Sequence, residues 1–136
     1  DYLFLAEEEF RARRDAGGFL EWARVHGHLY GTPRDAAAGV LRRGRHALLN
    51  IDVQGAASVR TSGLPHLLVF LLPPSQEDLE RRLRGRGTDD EATITERLDT
   101  ARAELARREE FDLKLVNDDV RRAADEIARH LARSPA

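Results

Sequence analysis

The sequence predicts an α/β fold: a parallel sheet flanked by helices, with a small β-rich subdomain at its start. Three observations carry this. HALLNID and HLLVFLL are nearly unbroken apolar runs of strand length, as in strands covered on both faces. Segments with helical spacing alternate with them, which implies parallel crossovers. The opening residues, up to about 32, instead hold short consecutive strands, as in an antiparallel insert.

Taken in order, YLFL reads as a short strand and EEEFRARRDAG as a short helix ended by Gly17 and Gly18. FLEWARVHGHLYGT reads as two strands joined near Gly27, with Phe19, Glu21 and Ala23 on one side and Leu20, Trp22 and Arg24 on the other. Thr32 is placed to cap a helix with Pro33 at its first position, running to about Arg43 and stopped by Gly44. HALLNID is the first buried strand, and a helix over GAASVRTSG follows it. HLLVFLL is the second, closed by Pro73 and Pro74, after which Ser75 and Asp78 form a capping box with Asp in place of Glu. That helix carries Leu79 and Leu83, RGRGTDDE is a charged connection, and a long helix runs from Thr88 to about Glu110. DLKLVND is a third, less apolar strand. The last helix shows one continuous stripe of Val120, Ala123, Ala124, Ile127, Ala128 and Leu131.

The totals narrow the function. The 136 residues suffice for one domain with one core. Net charge is −2, which gives no electrostatic footprint for non-specific nucleic-acid binding. Absence of cysteine excludes disulfides, thiolate metal sites and a cysteine nucleophile. No apolar run approaches membrane-spanning length, and DYLFLAEEEF has neither the basic start nor the cleavage site of a signal peptide. His26 and His28 form an H-x-H pair; with no third ligand in view they read as exposed loop histidines rather than a metal site. Asn50 and Asp52, at the end of an apolar run that breaks at Gly55, have the form of a nucleotide site at the carboxyl end of a strand.

FLEWA, HGHLYGT, LLNIDVQGAASV, LLPPSQEDLERRLRGRGTDDEATITERL and KLVNDD occur in the order and at the spacing of guanylate kinases, and together they cover nearly the whole chain. The resemblance implies a P-loop NTPase-type three-layer parallel sheet. It also implies a GMP-binding subdomain over about 1–32, a core over about 33–82 and 111–136, and a lid over about 83–110. The implied reaction is transfer of the γ-phosphoryl group of Mg2+-ATP to GMP, giving GDP and ADP, in the cytoplasm.

The resemblance assigns roles residue by residue. Glu21 matches the carboxylate that accepts from guanine N1–H and the 2-amino group; alone it reads as a solvated strand residue. Thr32 matches the hydroxyl that binds the base, a task compatible with its capping role. Tyr2 and Tyr30 match the tyrosines on the GMP phosphate; alone they are half-buried aromatics. Asp52 matches the acid facing the phosphates, able to hold Mg2+ through water, with no direct metal ligand expected; alone it caps the next helix. Arg82, Arg86 and Arg97 match the arginines that neutralise transferring phosphates, Arg86 also on the ATP side; alone they are surface charges. Asn117 matches a residue near the ATP base, and alone it caps the last helix, as Asp118 or Asp119 equally can.

Two departures matter. Asn50 stands where the family has Asp, which removes a charge on the GMP side and predicts weaker GMP binding. No window fits G-x-x-x-x-G-K-[ST], and Lys114, the only lysine, follows Leu113 rather than Gly. In the family the strand entering that loop lies between the equivalents of HALLNID and HLLVFLL. The expectation is therefore an N-terminally truncated guanylate kinase, marginally stable and inactive alone. Two further readings stand beside it. One is a non-catalytic guanylate-kinase-like binding module, as in scaffold proteins, that recognises a phosphopeptide or GMP. The other is a kinase for a different nucleoside monophosphate, against which Glu21 with Thr32 argues.

Overall fold

In the computed structural model, residues 2–133 are described; residue 1 and residues 134–136, the ends of the expected domain, lie outside them. The chain divides into two units, Asp1–His66 and Leu67–Ala136.

The first unit opens on α1 (Glu7–Asp15), with Glu7, Glu8 and Glu9 in its first turn and Arg13 and Arg14 in its last, as the helix dipole favours. Arg11 hydrogen-bonds Glu7 and, with its charge, holds that carboxyl below the usual carboxylate range. Gly17 (φ +75°) ends the helix, with Gly17 N–H donating to Arg14 O and Gly18 N–H to Arg13 O, a Schellman closure. YLFL is not a strand: residues 2–6 are irregular, and Leu3 and Phe4 are exposed. Among the described residues no strand pairs with them, and a strand exists only through its ladder.

β1 (Phe19–Val25) and β2 (His28–Pro33) form the expected antiparallel hairpin. Its two-residue turn has positive φ at both His26 (49°) and Gly27 (82°), the signature of a type I′ turn. The predicted alternation of β1 fails at one place. The register slips between Phe19 and Glu21, and this irregularity lets the consecutive residues Leu20 and Glu21 both be buried.

α2 (Arg34–Arg42) follows directly, with Pro33 at its N-cap position and no side-chain cap. Thr32 is therefore not the cap; it is still a strand residue, paired with Glu21. Gly44 (φ +69°) ends α2. Within α2, a Cβ built on Gly39 meets nothing closer than 3.5 Å, and that contact is a flexible arginine end. Gly39→Ala is accordingly expected to stabilise the chain by about 0.5–1 kcal/mol through helix propensity and a less flexible unfolded state. A rise in the urea midpoint with unchanged slope would show it.

HALLNID is the main correction. Residues 45–52 form no strand, and Leu48 is 94 % exposed. Its composition suits a buried strand, but among the described residues no neighbour gives it a ladder. α3 (Val53–Arg60) follows, capped by Asp52.

In the second unit, β3 (Val69–Leu72) and β4 (Leu113–Val116) pair in parallel, Val69 opposite Leu113 and Leu72 opposite Val116. Asp112 takes the Leu68 N–H at 2.8 Å and Phe70 meets Phe111 edge-on at 5.0 Å, fixing the start of that pairing. Between the strands lie α4 (Gln76–Gly85), capped by Ser75, and α5 (Glu91–Leu105), capped by Asp90, whose bonds from Thr93 hold its carboxyl below the usual range. The expected long helix thus begins at Glu91 rather than Thr88 and gives way after Leu105 to a single 3-10 turn at Arg108–Glu110. α6 (Val120–Arg133) takes its cap from Asp119, one of the predicted alternatives. Of its apolar stripe only Ala123 is buried, and Val120 is 76 % exposed. A two-stranded sheet, its strands about 5 Å apart, is too narrow to cover the stripe.

Candidate functional site

The first unit gathers its chemistry around Glu21, the buried charged residue among the described residues, at 8 % exposure. The hairpin register sets Glu21 opposite Thr32, whose hydroxyl donates to Glu21 Oε1 at 2.7 Å. A carboxylate accepts about four hydrogen bonds, so this one keeps acceptor capacity for a ligand. Glu21 also lies against the first turn of α3: a Cβ on Gly55 would stand 3.1 Å from Glu21 Oε2 and 3.0 Å from Ile51 Cβ. In the same turn Asp52 Oδ1 accepts the Gly55 N–H at 2.7 Å. Two carboxylates thus flank one glycine.

Tyr2 and Tyr30 meet edge-to-face with ring centroids 6.3 Å apart, and both are exposed. Tyr30 sits on β2 opposite Ala23, two register positions from the Glu21–Thr32 pair. Trp22 is half exposed beneath the Arg14 guanidinium, 5.0 Å above its ring. Asn50 is exposed in the irregular run. Asp52 takes the helix-capping part that its sequence reading held open. Of the histidines, His26 occupies the hairpin turn and His28 begins β2, and among the described residues no cluster of three or more His, Cys, Asp or Glu could hold a metal.

The predicted arginines and Asn117 belong to the second unit. Arg82 is exposed on α4 and Arg86 is its exposed C-cap. Arg97 projects from α5, its Nη1 3.1 Å from Asp89 Oδ2. That oxygen is buried and receives no aligned hydrogen bond, so the contact is an ion pair rather than a bidentate clasp. Asn117 donates its backbone N–H to Leu72 O at 2.8 Å, extending the β3–β4 pairing past its last rung.

Sequence reasoning named Gly55 only as the end of an apolar run, missing its close approach to Glu21, and did not single out Asp89. The signal for Gly55 was its place three residues after the capping acid. Asp89 was hidden within a run of acids that reads as solvent-facing.

Comparison with known proteins bears on this arrangement. The family profile described as "Guanylate kinase" matches residues 1–134. The guanylate kinase of Nitratidesulfovibrio vulgaris is 52 % identical over 127 residues, covering 93 % of this chain and 61 % of that protein. That of Oleidesulfovibrio alaskensis is 51 % identical over 133 residues, covering 97 % and 65 %. A crystal structure of guanylate kinase from Anaplasma phagocytophilum superposes with a TM-score of 0.76 at 34 % identity, over 97 % of this chain and 64 % of that one. The chain thus spans somewhat under two thirds of the length of these relatives. Among the described residues no helix is long and apolar enough to cross a membrane.

Proposed function

The chain belongs to the guanylate kinase family, and from that premise we propose that it forms the GMP-binding part and the phosphate-facing arginines of an ATP:GMP phosphotransferase. The observation that carries the proposal is the buried Glu21 carboxylate, held on one oxygen by Thr32 and left with acceptor capacity.

In this reading Glu21 accepts from guanine N1–H and the 2-amino group. Thr32 then acts first on Glu21, fixing the carboxylate plane, and the base contact is shared between them. Tyr2 and Tyr30 present hydroxyls to the GMP phosphate. Arg82, Arg86 and Arg97 neutralise charge spreading over the transferring phosphoryl oxygens, and Arg97 exchanges Asp89 for phosphate when it does so. Asn117 serves the ATP base. The subdomain, core and lid divisions near residues 32, 82 and 110 belong to the same proposal.

Mg2+ suits the donor set: one carboxylate, Asp52, with one oxygen committed to its helix cap, matches an ion held mainly by ATP phosphates and water. When bound, that ion supplies charge neutralisation between the phosphates. The acceptor phosphate is already ionised, so no general base is assigned, and catalysis rests on positioning and charge stabilisation. Because the 136 residues hold no G-x-x-x-x-G-K-[ST] motif, transfer is proposed only where further sequence supplies a phosphate loop.

Calorimetric titration of the chain with GMP, AMP, CMP and UMP tests the acceptor site. Selective GMP binding is expected, and equal or no binding of the four overturns it. In the same assay Asn50→Asp is expected to tighten GMP about fivefold, the effect of roughly 1 kcal/mol from one better acceptor. An unchanged affinity removes Asn50 from the site.

A further inference from the structure

We infer that Gly55 is a positioning residue for base selectivity: its bare Cα is the space that seats the Glu21 carboxylate against α3, so that the side chain absent at position 55 determines which nucleobase edge Glu21 can meet. The inference rests on the GMP-binding reading above and adds to it a residue that touches no base.

Three distances define the seat. A Cβ at position 55 would lie 3.1 Å from Glu21 Oε2, 3.0 Å from Ile51 Cβ and 3.3 Å from Asp52 Oδ1. Each is tighter than ordinary van der Waals contact, so at least one neighbour must shift by a few tenths of an ångström. The neighbours differ in freedom. Ile51 Cβ is fixed to the backbone immediately before the helix cap. Asp52 Oδ1 is anchored by the Gly55 N–H itself, at 2.7 Å. Glu21 is the one held by a side-chain bond alone, from Thr32 Oγ1 at 2.7 Å. A methyl group at position 55 therefore turns the Glu21 carboxylate away from α3 and out of the plane in which it accepts two parallel donors.

The requirement is for space and not for backbone freedom. Gly55 lies in the first turn of α3 and is not among the positive-φ glycines. Intrinsic helix propensity there favours alanine, so a loss on Gly55→Ala runs against the local backbone preference. Gly39→Ala makes the same exchange in α2 where the space is open, and it serves as the control.

The experiment measures GMP and IMP affinity by calorimetry for the unsubstituted chain, Gly39→Ala, Gly55→Ala, Glu21→Ala, and Gly55→Ala combined with Glu21→Ala. IMP lacks the 2-amino group and engages only one of the two acceptor positions. Gly55→Ala is expected to weaken GMP about tenfold, to weaken IMP less, and so to lower the GMP-to-IMP preference. Because the added methyl acts through the Glu21 carboxylate, Gly55→Ala is expected to change the preference no further once Glu21 is alanine. Gly39→Ala leaves both affinities unchanged. An unaltered preference in Gly55→Ala, or a further loss of preference on adding Gly55→Ala to Glu21→Ala, overturns the inference while leaving the GMP site standing. Failure of the unsubstituted chain to bind GMP overturns both. If Gly55→Ala melts below the titration temperature, melting curves decide: a smaller drop in midpoint from Gly55→Ala in the Glu21→Ala background than in the unsubstituted chain supports the crowded carboxylate, and an equal drop refutes it.

Discussion

Glu21→Gln is expected to weaken GMP binding by roughly a hundredfold, about 3 kcal/mol, while leaving the hairpin folded. Glutamine keeps the length and shape of the side chain, and its carbonyl still accepts the Thr32 hydroxyl that now bonds Glu21 Oε1. What changes is the second terminal atom, from an acceptor to an N–H donor. Guanine presents two donors on the edge in question, so one of them meets a donor and loses its partner inside a site whose glutamate is 8 % exposed. A site built to hydrogen-bond a group discriminates strongly against a mismatch, because buried polar atoms are left unpaired. Stability should move little or rise, since an ionised group is removed from a partly dry position. Adenine, with one acceptor and one donor on the same edge, should lose less, so the GMP preference over AMP narrows. Calorimetry with both nucleotides, beside a melting curve, separates the outcomes. Equal GMP affinity in the variant would mean that Glu21 supports only the hairpin.

What was legible in the sequence was the chemistry that acts over three or four residues. Asp52, Ser75 and Asp119 cap helices because each side chain meets an N–H three residues on; Asp90 does the same but was hidden in the acidic run before α5. Gly17 and Gly44 end helices because the chain turns to positive φ there, which glycine adopts without strain. The hairpin was legible because its turn is as local as a cap. Strands were less so. Residues 45–52 have the composition of a buried strand, but composition cannot supply the neighbour that makes one. Leu20 and Glu21 illustrate the same limit at the site: alternation puts them on opposite faces, and a register slip puts both inside. Thr32 was expected to cap α2 and instead turns its hydroxyl onto Glu21, because the strand continues one residue further than its Pro33 suggests. The candidate residues were thus visible as types at positions. The Gly55 seat was not, since it arises from the packing of β1 against α3, whose residues lie about 30 apart in the chain.

Phe10→Ala is expected to cost about 3–5 kcal/mol, a large part of the roughly 5–15 kcal/mol that holds a typical domain. Phe10 is the buried residue of α1. Its ring stacks on Phe19 at 4.4 Å between centroids, and its Cζ comes within 3.2 Å of where a Cβ on Gly31 would lie. The glycine on β2 is thus the floor on which both rings rest, opposite Trp22 in the ladder. A helix of nine residues does not persist in water by propensity alone, and the Glu7–Arg11 and Glu9–Arg13 pairs are exposed and contribute little. Removing the ring therefore does more than leave a cavity: it releases α1 and uncovers Phe19, next to the register slip that turns Glu21 inward. Urea unfolding should show the loss, and amide exchange should show α1 protection disappearing before that of the β1–β2 ladder. Phe10→Leu, which keeps much of the volume, should lose under about 1.5 kcal/mol and retain GMP binding. A Phe10→Ala loss under about 1 kcal/mol, with α1 still protected, would mean that the helix is held by its ion pairs and that the aromatic stack does not support the site.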